Sequence, residues 1–217
     1  MTQGLGIGAG PAGLMAAETL AEAGCAVTLV DQKPTVGRKF LMAGKSGLNL
    51  TKAEGMAAFL TAFDPCPQPL RAALEAFGPA QVQDWAQAQG QDCFVGSSGR
   101  VFPTAMKASP LLRAWMERLR TLGVSVETGV TCTGRKGAVF TFSDGTPRPA
   151  DIVVLAMGGA SWRRLGSDGL WMAWLGAEAK PFQPANMGCQ VDWSNHMARH
   201  YGRPLKGVAL CPNGQRV

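Results

Sequence analysis

A glycine-rich turn close to the start of the chain constrains its fold more than any other feature. The apolar run at residues 5–7 leads directly into residues 8–13, which read Gly-Ala-Gly-Pro-Ala-Gly, and apolar residues then recur at helical spacing. Between a strand and a helix, such glycines permit a tight turn, a close approach of the backbone to a pyrophosphate, and close packing of the helix on the strand. The pattern predicts a βαβ unit whose first helix directs free N–H groups at phosphate.

A second apolar run, at residues 26–30, ends at Asp31 and predicts the next strand of this unit. Its β-branched residues are typical of a parallel strand that is buried on both faces. A carboxylate in this position can accept hydrogen bonds from both hydroxyls of an adenosine ribose, and its charge disfavours the 2′-phosphate of NADP. Gly4 and Gly6 bring no side chains to the core, so we expect them to weaken the first strand. The sequence therefore predicts an α/β protein that binds a dinucleotide.

The rest of the sequence extends this prediction to two domains. The elements expected after Asp31 are a loop over 32–52, two or three short helices over 53–90, a small hairpin over 94–102, a helix over 109–122 capped by Ser109, a three-stranded β-meander over 124–142, a buried parallel strand over 152–156 and a short helix over 170–175. A change in composition near Pro181 predicts a Rossmann-like domain over 1–180 and the start of a second, β-rich domain over 181–217. Asn213-Gly214 predicts a hairpin whose second strand is barely begun, so we expect the chain to be truncated.

Composition and charge argue against several other classes of protein. The chain carries 21 Lys and Arg against 15 Asp and Glu, but the basic residues are scattered and only 7% of residues are aromatic. Nucleic-acid binding is therefore not expected, because base-stacking surfaces interleave aromatic with basic side chains. No apolar run approaches the roughly 18 residues of a membrane span, and the N-terminus does not resemble a signal peptide. We expect a cytoplasmic protein without a membrane partner.

The cysteines and histidines form no recognisable redox or metal motif. None of the six cysteines lies in a Cys-x-x-Cys pair, so a disulfide reductase of the paired-cysteine kind is not expected. His196 and His200 are four residues apart, but Met197 stands where zinc proteases carry a glutamate. The sequence therefore predicts free thiols in a reducing compartment and no bound metal.

Several segments resemble, in chain order, the signatures of the aminoacetone-oxidase-like FAD-binding flavoproteins. This group of two-dinucleotide-binding-domain flavoproteins is often described as NAD(P)/FAD-dependent oxidoreductases. The matching segments are residues 8–14, 37–44 with 47–51, 99–103 with 107–109, 156–162 with 165–169, and 204–210. Members of the family are considerably longer, so the resemblance implies that the inserted substrate domain and the cofactor site are incomplete in this chain.

The resemblance implies FAD as the cofactor, with its ADP part on the first βαβ unit and the flavin reached by the loop over 37–51. Arg38 and Lys39 can neutralise a pyrophosphate. Gly44 and Gly47 let backbone N–H groups approach the cofactor, and Asn49 can donate and accept hydrogen bonds at the ribityl chain or the flavin. The predicted cofactor-binding residues are Gly8, Gly10, Pro11, Ala12, Gly13, Asp31, Gln32, Arg38, Lys39, Gly44, Gly47, Asn49, Val130, Ala156, Gly158 and Gly159.

The function that the sequence favours is an FAD-dependent oxidoreductase that acts on a small molecule, with the flavin carrying the hydride or electron chemistry. No catalytic side chain is assigned, and NAD(P)H is left open as the electron donor although no second Gly-x-Gly-x-x-Gly is present. Two alternatives stay open. The chain could be a non-catalytic nucleotide- or nucleic-acid-binding remnant, which the truncation and the net charge of +6 would suit, or an NAD-binding module without flavin.

Overall fold

The computed structural model describes residues 1–44, 47–175, 180–183 and 192–202, and the chain divides into two units, Met1–Phe182 and Gln183–Val217. The strands are β1 (Gln3–Ile7), β2 (Ala26–Asp31), β3 (Thr51–Lys52), β4 (Cys93–Val95), β5 (Arg100–Pro103), β6 (Ser125–Thr128), β7 (Cys132–Lys136), β8 (Val139–Phe142) and β9 (Ile152–Leu155). The α-helices are α1 (Pro11–Glu22), α2 (Arg38–Ala43), α3 (Met56–Leu60), α4 (Gln68–Ala76), α5 (Pro79–Ala88) and α6 (Ala108–Thr121). Short 3-10 helices cover Thr61–Phe63, Arg163–Leu165, Leu170–Trp174 and Asn195–His200.

The first unit is built on a parallel sheet with the strand order β6-β2-β1-β9. Ile7 at the end of β1 pairs with Val30 of β2 on one side and with Leu155 of β9 on the other. The carboxyl ends of these three strands therefore meet at one edge, which is where open α/β sheets bind their ligands. Apolar side chains of α1 and α6 pack with those of β2 in one buried core. This architecture confirms the predicted Rossmann-like α/β fold.

The predicted three-stranded meander is wrong in its first strand. β6 pairs in parallel with β2, with Thr128 opposite Asp31, whereas β7 and β8 pair with each other as an antiparallel hairpin. The backbone N–H of Val130 also donates to the carbonyl oxygen of Asp31 at 3.0 Å, which continues the contact with β2 beyond β6. The turn signals between the three strands are local, but β2 offers an edge to which β6 can hydrogen-bond, and this pairing decides the topology.

The two glycines of β1 make room for side chains from neighbouring elements. A Cβ at Gly6 would lie 2.6 Å from Cδ1 of Leu29, and a Cβ at Gly4 would lie 3.2 Å from Cδ1 of Leu20. Leu29 is completely buried in the core shared by α1, β2 and α6. Leucines from β2 and α1 thus fill the space that the glycines leave, which offsets the weakening expected of glycine within a strand.

Helix α6 follows the predicted apolar pattern, although its N-cap lies two residues earlier than expected. The helix starts at Ala108, with Lys107 in the N-cap position, and no side chain caps it, so the capping role predicted for Ser109 is wrong. The chain reaches helical geometry before Ser109, which places that residue inside the first turn. The buried stripe of the helix contains Leu111, Trp115 and Leu119.

A buried carboxylate on α1, which the sequence pattern does not single out, links three helices. Glu18 is only 3% exposed. It accepts hydrogen bonds from the indole Nε1 of Trp115 at 2.6 Å and of Trp85 at 3.3 Å, and it forms an ion pair with Arg118. Because these partners come from α5 and α6, Glu18 fixes the position of both helices against α1.

The region of the chain between β2 and β6 largely follows the prediction. α3, α4 and α5 are the expected short helices, and β3 joins the expected hairpin to give a sheet of order β3-β5-β4. The prediction of a loop over 32–52 is wrong at residues 38–43, which form α2. The N–H of Leu41 donates to the carbonyl oxygen of Gly37 at 2.9 Å in the first turn of this helix. The ring of Phe40 packs edge-on against Trp115, 6.3 Å between centroids, so burial on the core stabilises a helix in a segment of loop-like composition.

In the second unit, the structure describes Gln183 and residues 192–202, and the latter contain the 3-10 helix Asn195–His200. The strands predicted after Pro181 fall mainly on residues outside the described part, and so do the hairpin at Asn213-Gly214 and the family-like segment 204–210. The β-rich second domain stays a prediction. Among the helices that the structure describes, none is both long enough and apolar enough to cross a bilayer.

Candidate functional site

A cavity of about 710 Å³ opens at the carboxyl edge of the parallel sheet. Its wall is formed by the turn after β1, the end of β2, the start of α2, residues 130–132, the turn after β9 and parts of the segment 165–174. The volume lies within the roughly 300–1,000 Å³ of typical small-molecule sites. The cavity therefore coincides with the place where the sequence predicts a dinucleotide.

The three glycines of the glycine-rich turn, Gly8, Gly10 and Gly13, have three different surroundings. Gly8 has a φ of +105°, and a Cβ there would overlap the carbonyl oxygen of Ala156. A Cβ at Gly13 would overlap the carbonyl oxygen of Gly8, so α1 packs directly on the turn. Gly10 lines the cavity and has no atom within 4 Å of its Cβ position. Since the 12-residue helix α1 begins at Pro11, this open space lies at a helix N-terminus, where an anion is stabilised.

Asp31 lies in the cavity wall with both carboxylate oxygens bonded to the backbone. Oδ2 accepts a hydrogen bond from the N–H of Ala9 at 2.8 Å, and Oδ1 accepts one from the N–H of Lys33 at 2.7 Å. These bonds tie the turn after β1 to the end of β2. Each oxygen keeps a second lone pair, so the ribose contact predicted from the sequence is compatible with this geometry.

Four cationic side chains, Lys33, Arg38, Lys39 and Lys180, line the same cavity. None of them forms an ion pair with any residue in the described ranges. Arg38 Nη1 donates to Oγ1 of Thr35 at 3.2 Å, but Arg38 Nε is buried and has no partner within the described part of the chain. Burial lowers the pKa of Lys39 below its ordinary value, because desolvation disfavours the ammonium form. An anionic ligand would satisfy these groups.

The turn after β9 is held by two side chains from the segment 165–174. Ser167 Oγ lies 3.0 Å from the carbonyl oxygen of Met157 and 2.7 Å from that of Gly159. The indole Nε1 of Trp171 donates to the carbonyl oxygen of Gly158 at 2.9 Å. Gly158 has a φ of +75°, and a Cβ there would overlap Ser167 Oγ, so this turn requires glycine.

The structure brings most of the predicted cofactor-binding residues together around this cavity. Those that line it are Gly8, Gly10, Pro11, Ala12, Asp31, Gln32, Arg38, Lys39, Val130, Ala156 and Gly158. Those that do not line it are Gly13, Gly44, Gly47, Asn49 and Gly159. Gly13 and Gly159 nevertheless support the wall, through the packing of α1 and the contact with Ser167.

The residues of the loop after α2 lie elsewhere. A Cβ at Gly44 would lie 2.6 Å from Cβ of Ala108, so this glycine allows α2 to end against the start of α6. A Cβ at Gly47 would lie 2.8 Å from Cε of Met106. Asn49 is exposed. In this structure the two glycines serve packing, and the cofactor contacts predicted for Gly44, Gly47 and Asn49 stay predictions.

The cavity wall also contains residues that sequence reasoning did not assign to the site. They include Lys33, Thr35, Gly37, Thr131, Cys132, Leu165, Gly166, Ser167, Asp168 and Trp171. Gly37 and residues 165–169 belong to segments that carry the family resemblance, so that signal could have found them. Thr131 and Cys132 carry no such signal, because they reach the cavity through the pairing of β6 with β2. Burial raises the pKa of the Cys132 thiol, which keeps it protonated at neutral pH.

No group of three His, Cys, Asp or Glu residues is placed to hold a metal ion within the described ranges. His200 Nε2 accepts a hydrogen bond from Nε of Arg199 at 3.0 Å. The described cysteines Cys25, Cys66, Cys93 and Cys132 are free thiols. Cys189 and Cys211 fall outside the described residues.

Comparisons with known proteins agree with this fold. The model of the HI0933-like protein Rossmann domain matches residues 3–191. The 3-dehydro-bile acid delta(4,6)-reductase of Clostridium scindens is 31% identical over 194 residues, which cover 85% of this chain and 46% of that protein. The chain therefore spans less than half the length of this curated relative.

A solved structure with the same fold is the 3-ketosteroid-delta4-(5alpha)-dehydrogenase from Rhodococcus jostii RHA1 in complex with 4-androstene-3,17-dione. Its TM-score is 0.53 at 18% identity, over 73% of this chain and 46% of that chain. A likeness at this level of identity concerns the fold alone. The family model, in contrast, matches well over half of the sequence, and the chain belongs to the HI0933-like family of FAD-binding Rossmann proteins.

Proposed function

We propose that this chain is the cofactor-binding part of a flavin-dependent oxidoreductase, and that its cavity holds FAD. The observation that carries the proposal is the buried Nε of Arg38, a cationic donor without a partner in the described residues, in the wall of a cavity onto which Gly10 opens. A buried guanidinium donor that lacks an acceptor is costly, so its position favours an anionic ligand. The pyrophosphate of a dinucleotide supplies such an anion.

Each part of the cavity has a role in this proposal. Gly10 and the N-terminus of α1, together with Arg38 and Lys39, would hold the pyrophosphate. Asp31 would accept hydrogen bonds from the ribose of the adenosine half. Residues 130–132 would form the wall on the adenosine side, since they follow β6 at the outer end of the sheet. These groups bind and orient the cofactor, and the apolar part of the wall excludes water from it.

When bound, FAD supplies hydride or single-electron chemistry that protein side chains lack. The sequence resemblance points to an aminoacetone-oxidase-like enzyme, whereas the Clostridium scindens relative is named a reductase of a 3-dehydro-bile acid. Both names describe oxidoreductases, and they differ in substrate. We therefore place the proposal at the level of flavin-dependent oxidoreduction on a small molecule, with NAD(P)H as a candidate electron donor.

The test is calorimetric titration of FAD into the wild-type chain and into R38A and R113A. Arg113 is the matched control, because it is exposed on α6 and does not line the cavity. We expect saturable binding in the wild type and in R113A. In R38A the affinity should fall about tenfold or more, the scale of one hydrogen bond to a charged group. Equal affinity of R38A and R113A would contradict the assignment of Arg38, and a wild type that does not bind FAD would contradict the proposed function itself.

A further inference from the structure

The indole of Trp171 lies in the cavity wall and contacts two neighbouring groups. Its Nε1 donates to the carbonyl oxygen of Gly158 at 2.9 Å, and its ring meets Phe182 edge-on, with 6.5 Å between centroids and an interplanar angle of 67°. An aromatic ring with its polar atom bonded to the backbone cannot rotate freely. These contacts favour one orientation of the ring in the cavity wall.

The segment that carries Trp171 reaches across the cavity to the end of β2. Gln32 Nε2 donates to the carbonyl oxygen of Gly166 at 2.5 Å, and a Cβ at Gly166 would lie 3.0 Å from Cε of Lys33. The 3-10 helix Leu170–Trp174 in turn packs against β7, whose first residue, Cys132, lies in the cavity wall. The segment thus covers the side of the cavity that lies next to Asp31.

Position and chemistry together indicate what Trp171 contacts. If Asp31 holds the ribose of the adenosine half, the base attached to that ribose occupies the space between residues 130–132 and the segment 165–174. Adenine has a flat π face, and aromatic side chains stack on such faces without needing a particular hydrogen-bond pattern. Trp174 and Phe182 also line the cavity, but within the described residues only Trp171 has a side-chain donor bonded to the turn after β9.

We propose that Trp171 is a cofactor-contacting residue that stacks on the adenine ring of FAD. The proposal rests on the proposed function, in that it takes FAD as the ligand, but it concerns only the adenosine half. ADP, which carries that half without the flavin, should therefore be recognised by the same indole. FMN, which lacks adenine, should not.

The experiment measures binding of FAD, ADP and FMN to the wild type, W171A, W171F and W162A by calorimetry. Trp162 is the matched control, because it precedes the same segment, is exposed and does not line the cavity. We expect W171A to weaken FAD and ADP by the same factor, about tenfold, which is within the range of base–aromatic stacking. W162A should bind both ligands as the wild type does, and W171F should keep most of the affinity because it keeps a ring.

A second readout covers the case in which W171A does not fold. ADP is the probe for this readout, because bound flavin absorbs tryptophan emission and would quench all nearby tryptophans. ADP binding should change the intrinsic tryptophan fluorescence of the wild type and of W162F, and W171F should bind ADP with less of that change. Trp85 and Trp115 lie in the buried core around Glu18, do not line the cavity, and contribute a constant background.

The outcomes separate the two proposals. Unchanged FAD and ADP affinities in W171A, or an effect of W174A in place of W171A, overturn the stacking role while the FAD site stands. If the wild type binds ADP in a way that depends on Trp171 but does not bind FAD, the proposal that the cavity holds FAD is contradicted and the adenine site is supported. A wild type that binds neither ligand overturns both.

Discussion

Asp31 Oδ2 accepts a hydrogen bond from the backbone N–H of Ala9 at 2.8 Å, so the end of β2 is tied to the turn after β1 at the floor of the cavity. The same carboxylate accepts a second backbone N–H, from Lys33. One side chain therefore both stabilises the turn and, in our account, receives the ribose. Its substitution should affect folding and binding together.

We expect Asp31→Ala to lower the free energy of unfolding by about 1.5–3 kcal/mol, the scale of a hydrogen bond to a charged group. Asp31→Asn should lose less, because its amide oxygen can still accept one of the two backbone N–H groups. Urea unfolding of the two variants measures the difference, and FAD titration should show weaker binding in both. If the alanine and asparagine variants unfold at the wild-type urea concentration, the backbone bonds of Asp31 contribute nothing and this part of the account is wrong.

Gly13 and Gly10 offer a matched pair of glycine-to-alanine substitutions. A Cβ at Gly13 would overlap the carbonyl oxygen of Gly8, so Gly13→Ala should destabilise the fold by about 3 kcal/mol or more. Gly10 has an ordinary extended backbone and open space around its Cβ position, so Gly10→Ala should leave stability unchanged or raise it by up to about 1 kcal/mol.

Gly10→Ala should weaken FAD binding although it does not lower stability, since the new methyl group enters the space assigned to the pyrophosphate. We expect the affinity to fall about tenfold or more, as for a lost hydrogen bond to phosphate. Thermal unfolding with and without FAD checks both effects. A Gly10→Ala variant with full FAD affinity would show that the pyrophosphate lies elsewhere.

Glu18 and Glu22 both contact Arg118 but differ in burial. Glu18 is almost completely buried and also accepts from two indoles, whereas the side chain of Glu22 is 47% exposed. Glu18→Ala leaves the buried indole N–H of Trp115 without an acceptor and should cost about 3 kcal/mol of unfolding free energy. Glu22→Ala removes a surface ion pair and should cost about 1 kcal/mol or less. Similar costs for the two variants in urea unfolding would refute the role of Glu18 as the link between α1, α5 and α6.

The ion pairs of Arg148 predict how stability depends on pH. Arg148 donates to Asp144 and holds the pKa of that carboxyl far below its ordinary value. The folded state therefore takes up this proton at lower pH than the unfolded state, whose Asp pKa is about 3.9. The contribution is present above that pKa and is lost as pH falls through it toward the folded value.

Arg148→Met should therefore be less stable than the wild type at neutral pH, and the difference should shrink as the pH is lowered from about 5 to about 2. Arg135→Met is the control, because Arg135 forms no ion pair in the described residues and its effect should not change over this range. Thermal unfolding at several pH values measures both differences. A gap between wild type and Arg148→Met that is constant with pH would show that the Asp144 pair does not contribute.

The parallel sheet and the glycine-rich turn were accessible to sequence reasoning because their signals are contiguous. The three glycines, the strand before them and Asp31 lie within a single βαβ unit. The pairing of β6 with β2 is different, since it joins residues that are about a hundred positions apart, such as Asp31 and Thr128. Local turn signals around β6 fitted a meander equally well, and the open edge of β2 decided the outcome.

The same distinction applies to the candidate site. Arg38 and Lys39 could be predicted because they lie in a segment that carries the family resemblance, and basic side chains suit a phosphate. The family resemblance marks residues 165–169, but their pattern alone does not place the segment 165–174 over the cavity, because its position depends on distant contacts, such as that between Gln32 and Gly166. Glu18 was missed for a related reason: a glutamate on a helix usually faces solvent, and its burial follows from partners on two other helices.

Equilibrium dialysis of the wild-type chain against FAD, read by visible absorption and repeated with excess ADP, tests whether the cavity holds FAD. We expect flavin absorption to accumulate on the protein side to one FAD per chain and ADP to displace it, because both ligands share the adenosine half. Equal flavin absorption on the two sides, or binding that ADP does not displace, would contradict the assignment of this cavity to FAD.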